Sequence, residues 1–406
     1  MPKSAQGSIF PAYTNQGIVF DQNGSNRSIQ VPTQAMLTLF QKVAIKESDP
    51  TADALGLYSI LNVGRDLKAR FGSLSSLKHV FSNRKNGCAW NPKGSVSLGI
   101  EEIDTCAIEY NGEQCPDALY DDCFEMLFGG GNDVRDILGT PEGGVLFANL
   151  LREVNIGIGN SFSEIINFAN HPDIATYNTS GEYAVSEDEW DDYYDQQMSI
   201  SCGGIVTILD GLATAGASNY NYQIPSADID ANGDYTGDII DLFKAVIAKA
   251  DPKLLVMIRS GVMVNGARRF PIMKVTRQLY NAYKDYLLTT FSANPQTYRY
   301  QLMMNDGEIL TMPDALEYEG MAVIPWDESE SFDSILGSKK HRIAIFAPGN
   351  IGIAVNVPGI RMFEGIGLRM IQRLEAPYQG KIFMDTTLRV GTGLGDTALA
   401  VYGRSV

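Results

Sequence analysis

Histidine is scarce in this chain: His79, His171 and His341 are the only three among 406 residues, so acid–base chemistry near neutrality has few natural carriers. Cysteine is also sparse. Cys88, Cys106, Cys115, Cys123 and Cys202 make an odd set of five with no C-x-x-C, which argues against a zinc cluster and predicts buried thiols in a reducing compartment rather than a disulfide framework. A Cys115–Cys123 bridge is conceivable, although the intervening PDALYDD reads as the opening of a helix. Basic residues are outnumbered, 32 Lys plus Arg against 48 Asp plus Glu, and the formal charge of -16 argues against a surface built to wrap phosphate backbones. No run approaches 18 uninterrupted apolar residues, and Met1 to Phe20 is too interrupted by Pro2, Lys3, Gln6, Pro11 and Asn15 for a signal peptide. The reading is a soluble protein made in the cytosol, with no membrane partner. There is no G-x-x-x-x-G-K-[ST] phosphate loop, no G-x-S-x-G elbow and no H-E-x-x-H helix. The G-x-G pieces at Gly157 and Gly159 and at Gly391, Gly393 and Gly395 do not open a nucleotide-binding turn.

What the chain does have is apolar material, 44% of residues, enough for one large core or several smaller ones. Residues 1–31 are polar with isolated apolar anchors, and either stay loose or lie extended across another surface. Helices are predicted over about 32–46 and 52–68. Residues 82–99 change to Asn, Lys, Gly and Ser, flanked by possible strands at 95–100 and 105–110, as in a projecting hairpin or an ordinary solvated loop. A helix is predicted over about 116–128. The longest candidate follows at about 141–169, where Leu146, Leu150, Val154, Ile158, Phe162, Ile165 and Ile166 recur mostly at spacings of three and four.

Residues 182–195 hold seven acids and no base, a stretch expected to face solvent or a basic partner. Cys202 to Leu209 reads as a buried strand opening a second domain near Ser199. Thr236 or Asp238 is expected to cap a helix over about 239–250 stopped by Pro252, Leu254 to Ile258 reads as a strand, and a helix is predicted from Pro271 to about Thr290. Short strands close the chain at 343–347, 351–357, 381–385 and 398–402, broken by Pro348, Gly349, Pro358 and Gly391. So many strand edges need covering, which points to copies of the same chain. Helices and strands alternate without a strict βαβ rhythm, so the fold class is α+β.

Three groups of residues and one tryptophan carry candidate sites. Asp228, Asp230, Asn232, Asp234 and Thr236 sit at positions 1, 3, 5, 7 and 9 of a calcium-loop pattern with Gly233 at 6, but Ile239 stands where a bidentate Glu is needed. A calcium site and a polar turn feeding the next helix are both open, and no other cofactor is expected. Arg84, Lys85 and Lys93, with Trp90, concentrate in the 82–99 segment and suit docking on an acidic neighbour. Arg268 and Arg269 read as a salt-bridging site at a subunit contact. Trp326, between Pro325 and Asp327, is either a binding anchor or a core side chain.

Taken in order, these elements resemble the major capsid proteins of tailed bacteriophages with the Hong Kong 97-like fold. The resemblance is carried by the arm, the 82–104 hairpin, Cys115 with the helix after it, and the long 141–169 helix, similar to the family's spine helix. It continues in Tyr318-Glu319-Gly320-Met321-Ala322-Val323-Ile324-Pro325-Trp326 and the closing strands. It implies an N-terminal arm (1–31), a helical N-terminal segment (32–81), an extended hairpin loop (82–104), a peripheral domain with the spine helix (105–198), an axial domain (199–375) and closing strands (376–406). It further implies a structural protein, not an enzyme: many copies would form hexamers and pentamers around a double-stranded DNA genome. Portal, scaffolding or decoration proteins would be its partners, in a virion assembled from chains made in the host cytoplasm. A cargo-compartment shell of the same fold and a soluble metal-dependent enzyme or binding module centred on Asp228 to Asp238 are the alternatives.

Overall fold

The computed structural model describes residues 19–20, 27–30, 50–63, 68–74, 98–114, 157, 160–174, 198, 202–264, 267–291, 295–303, 307, 309–336, 339–355, 369–372 and 382–405. These form a mixed α+β structure in two compact units. One comprises Met1–Pro50, Cys106–Ile166 and Val355–Val390; the other comprises Thr51–Thr105, Asn167–Ala354 and Gly391–Val406.

In the first unit the described strands are antiparallel. Val19–Phe20 pairs with Arg27–Gln30, that strand with Arg369–Gln372, and Arg369–Gln372 with the long strand Ile382–Leu394. Cys106–Gln114 lies along the same long strand from Val390 opposite Cys106 to Ile382 opposite Gln114. Residues 160–168 are helical, and Phe162, Ile165 and Ile166 are buried as their spacing predicts.

The second unit is organised by a seven-stranded mixed sheet. Its order is Arg299–Met303, Ile309–Tyr318, Met321–Pro325, Ile272–Val275, Arg342–Phe346, Ala400–Arg404, Tyr222–Gln223. Ile272–Val275 runs parallel to Met321–Pro325 and antiparallel to Arg342–Phe346, and all four of its residues are buried. Such a strand must be covered on both faces, and side-chain alternation shows how. Ile272, Ala322, Ile324, Ala344, Phe346, Ala400 and Tyr402 join one core with Leu55, Phe168, Ile205, Val206, Leu209, Trp326 and Phe332. Met273, Val275, Met321, Val323, Ile343, Ile345 and Val401 join another with Leu242, Phe243, Leu254, Leu279 and Tyr283. Helices Pro50–Leu55, Ile205–Thr214 and Asp327–Ile335 therefore cover one face, and Ile239–Ile247, Pro252–Ser260 and Arg277–Phe291 the other. Each such side chain contributes roughly 1.5–3 kcal/mol on burial, and a one-residue register slip would exchange the two sets, so the register is firmly fixed. The turn Glu319-Gly320, with φ of 49° and 83°, joins Tyr318 directly to Met321 and sets the register of that hairpin.

A smaller part of this unit explains the glycine-rich end of the long strand. The hairpin Lys68–Leu74/Leu98–Asp104 contributes Phe71 and Ile103. A Cβ on Gly391 would lie 2.3 Å from the Asp104 carbonyl oxygen, one on Gly393 2.7 Å from Ile103, and one on Gly395 2.1 Å from the Phe71 ring. The alternate glycines thus open one face of the strand to close packing, and Gly391 continues the strand instead of breaking it.

Several sequence expectations change. The 52–68 helix is the short helix Pro50–Leu55 followed by strand Tyr58–Asn62; Gly56, at φ 74°, turns the chain between them. Cys202 to Leu209 is not a strand but the start of helix Ile205–Thr214, whose buried Ile205, Val206 and Leu209 share one helical face. Leu254 to Ile258 is likewise helical, within Pro252–Ser260, because Asp251 caps the helix by accepting from the Lys253 N–H and Pro252 occupies its first turn. Residues 272–275 form a strand, and the following helix begins only at Arg277. The expectations at 32–46, 116–128 and 182–195, and most of 141–169, lie outside the described residues.

Two glycine substitutions should act with opposite sign in chemical denaturation. Gly391→Ala, which places a methyl against backbone, is expected to cost about 1–3 kcal/mol. Gly211→Ala, exposed in a helix with open space at its Cβ, should stabilise by about 0.5–1 kcal/mol. Equal effects would contradict the packing described.

Candidate functional site

The unusual chemistry of the second unit lies in charged side chains on the buried sheet face beneath helix Asp327–Ile335. Lys274 and Arg342 are each 1% exposed. Lys274 Nζ donates to the Tyr58 hydroxyl at 3.3 Å, lies 3.8 Å from Glu328 Oε2 and sits 5.5 Å from the Trp326 ring centre. Arg342 Nη1 donates to both Asp333 carboxylate oxygens at 2.9 Å and to Ser329 Oγ at 2.6 Å. Its guanidinium also lies 5.4 Å from the Phe168 ring, which stacks on Phe332 at 4.2 Å. Glu328 with Phe332 and Ser329 with Asp333 are each four apart, so two adjacent rows of the helix face the sheet. Burial opposes the charge on Arg342, but Asp333 outweighs it and holds the guanidinium above its usual range. The Asp333 carboxyl is pushed up by the same burial, which Arg342 offsets only in part.

A second cluster adjoins it. His171 Nε2 and Asp210 Oδ2 are 2.8 Å apart, and Arg404 Nη1 is 2.7 Å from Asp210 Oδ1. The Asp173 backbone N–H donates to His171 Nδ1 at 3.3 Å, so the neutral ring carries its proton on Nε2 and gives it to Asp210. Both ring nitrogens are thereby committed to structural partners rather than aimed at a reacting group. Burial alone would raise the Asp210 carboxyl; the His171 hydrogen bond and the Arg404 charge bring it below the usual carboxylate range. Its contribution to stability is thus present above about pH 4 and lost as pH falls through the lowered value.

Trp326 is a core side chain: it is 0% exposed, and its Nε1 donates to Asn167 Oδ1 at 3.1 Å. The acidic loop is closed by its own hydrogen bonds. Asp230 Oδ1 accepts the Asn232 and Asp234 N–H groups at 2.8 Å, while Asp234 Oδ1 accepts from Gln278 Nε2 at 2.9 Å and Lys339 Nζ at 3.1 Å. Thr236 Oγ1 donates to the Asp228 carbonyl, Gly233 sits at φ 79°, and Asp238 caps the next helix by accepting from the Ile240 and Asp241 N–H groups. Among the described residues no group of three or more His, Cys, Asp or Glu is placed to hold a metal ion.

Arg268 is exposed, whereas Arg269 turns inward, donates from Nη1 to the Ala54 carbonyl at 3.3 Å and covers Gly56. Arg84, Lys85, Trp90 and Lys93 lie outside the described residues. Cys106 and Cys202 are both disulfide-bonded, which corrects the expectation of free thiols: an odd total excludes complete pairing, not pairing of some members. The buried charges were missed because they come from distant segments; a lone Lys in the apolar run Ile272-Met-Lys-Val was the one local signal for any of them.

His341 donates from Nε2 to the Gly233 carbonyl at 3.0 Å, and burial lowers its basicity. With the folded value below the unfolded one near 6.5, the unfolded chain binds more protons on acidification, so stability falls as pH drops below about 6.5. Thermal unfolding between pH 7.5 and 5 should therefore show a slope that His341→Gln flattens; an unchanged slope would contradict this assignment.

No family model and no curated protein matches the sequence. The structure does resemble solved structures. A chain of the satellite phage P4 procapsid aligns over 92% of this chain and 90% of its own length at 10% identity, with a TM-score of 0.50. A chain of Mycobacterium phage Ogopogo aligns over 88% and 92% at 8% identity with a TM-score of 0.43, and a chain of the encapsulin SrpI complex from Synechococcus elongatus over 87% and 86% at 11% identity with a TM-score of 0.36. The P4 alignment covers 92% of this chain, and with it the chain has the Hong Kong 97-like fold.

Proposed function

We propose that this chain is a shell-forming structural protein, the major capsid subunit of a tailed bacteriophage, whose copies form hexamers and pentamers of an icosahedral shell around double-stranded DNA. The observation that carries this reading is the alignment with the P4 procapsid chain across nine-tenths of both molecules. A shared fold alone does not fix a function, and the chemistry of the buried groups supports the same reading. Among the described residues, buried Arg342 is paired with Asp333 and buried Asp210 with His171 and Arg404, as in a mechanical part, and His171 has both nitrogens engaged. An acidic chain, at -16, also suits a container wall that must not adhere to the DNA it encloses. Its partners are further copies of itself, with portal, scaffolding or decoration proteins, and its place is the virion, after synthesis in the host cytoplasm. The basic segment of Arg84, Lys85, Trp90 and Lys93, together with exposed Arg268, is proposed to meet acidic surface on a neighbouring copy.

Sedimentation and negative-stain imaging of the purified chain at rising concentration test the proposal. Rings, sheets or closed particles are expected, with nuclease-protected DNA inside particles recovered from infected cells. A compact monomer at every concentration would contradict it, and closed particles holding protein cargo but no DNA would assign the fold to a compartment instead.

A further inference from the structure

Among the described residues the most exposed large apolar side chains are Met263 at 65%, Val256 at 62% and Ile309 at 56%. Exposed apolar residues that stand singly are ordinary, so their surroundings decide whether they matter. Val256 and Arg259 are three apart on helix Pro252–Ser260, and both are exposed on its outer side. The hairpin Val262–Val264/Ala267–Arg269 follows at once, with Met263 directly opposite Arg268 and so on the same face. A Cβ on Gly261, the residue that ends the helix, would lie 2.8 Å from Arg268 Cγ, so the Arg268 stem joins helix and hairpin. The four side chains therefore make one apolar patch with two cations. Neither arginine has an ion-pair partner among the described residues.

Strand Ile309–Tyr318 of the same unit carries the opposite charge. It opens on exposed Ile309 and Leu310; Asp314, Glu317 and the adjoining Glu319 are exposed too, against the single Arg299 on the neighbouring strand. At its start this strand pairs only with Gln301–Met303, since pairing with Met321–Pro325 begins at Leu316. That end of the sheet is a two-stranded ribbon, marginal by itself and stabilised by anything that covers it. Within one chain the two patches do not cover each other, because both stay exposed. Two copies of the first patch would oppose arginines, and two copies of the second would oppose carboxylates. Only the first against the second is complementary. We infer that the Val256–Met263 patch of one copy docks on the Ile309–Leu310 ribbon of the next, with Arg259 and Arg268 facing Asp314 and Glu317. Such a contact is head to tail, and it repeats from copy to copy until the rotation closes a ring, as pentamers and hexamers require. The inference rests on the shell-forming reading and names the surfaces that would carry it.

Two full-length variants test it by analytical ultracentrifugation at rising concentration. Met263→Glu spoils the first patch and leaves the second; Ile309→Thr with Leu310→Thr does the reverse while keeping residues that suit a strand. The substituted positions are exposed, so both variants should unfold at about the same temperature as the original. Each variant is expected to need about tenfold or more higher concentration to associate. An equal mixture should form dimers where each variant alone is monomeric, because a mixed pair keeps one intact contact. Variants that associate as readily as the original, or a mixture that behaves as its components do, would overturn the inference and leave the shell-forming reading in place. An unsubstituted chain that stays monomeric at every concentration would overturn both.

Discussion

Two cations with almost no access to water, Lys274 and Arg342, constrain the second unit more tightly than any apolar contact. Apolar side chains accept many neighbours, but a buried guanidinium must face its carboxylate at hydrogen-bond distance or incur a penalty of several kcal/mol. Arg342 therefore dictates where Asp333 and Ser329 stand, and so where helix Asp327–Ile335 lies on the sheet. With the helix fixed, Phe332 stacks on Phe168, Trp326 is sealed against Asn167, and the segment at 167–173 brings His171 to Asp210. Specificity rather than net stability is what such a cluster supplies, because apolar substitutes of equal volume often fold as well.

For a shell subunit this division of labour is useful. On the function proposed above, the surfaces that meet other copies would adapt between pentamers and hexamers, while the body that carries them keeps one arrangement. Around Ile272–Val275, covered on both faces, the unit is rigid in the required sense: its strands cannot slip without exchanging every buried residue.

The sequence displayed the α+β class, the closing strands and the capping of helix Ile239–Ile247 by Asp238, because alternation and capping are local signals. It misassigned Leu254 to Ile258 and Cys202 to Leu209, where a short apolar run suits a helix or a strand equally; Asp251 and Pro252 decide the first, and the second has no side-chain cap to announce it. It read the GxGxG run at Gly391 as a break, because the reason for those glycines is the hairpin carrying Phe71 and Ile103, far away in the chain. The site was the least legible part. Lys274, Asp333 and Arg342 come from a strand, a helix and another strand, and nothing in their spacing announces that they meet.

The most direct measurement is a double-substitution cycle on Asp333 and Arg342, read by chemical denaturation. If the pair anchors the helix to the sheet, Asp333→Leu and Arg342→Met should each cost about 3–5 kcal/mol, and the double substitution far less than their sum. Additive costs would contradict that anchoring role and mean that the apolar face alone holds the helix in place.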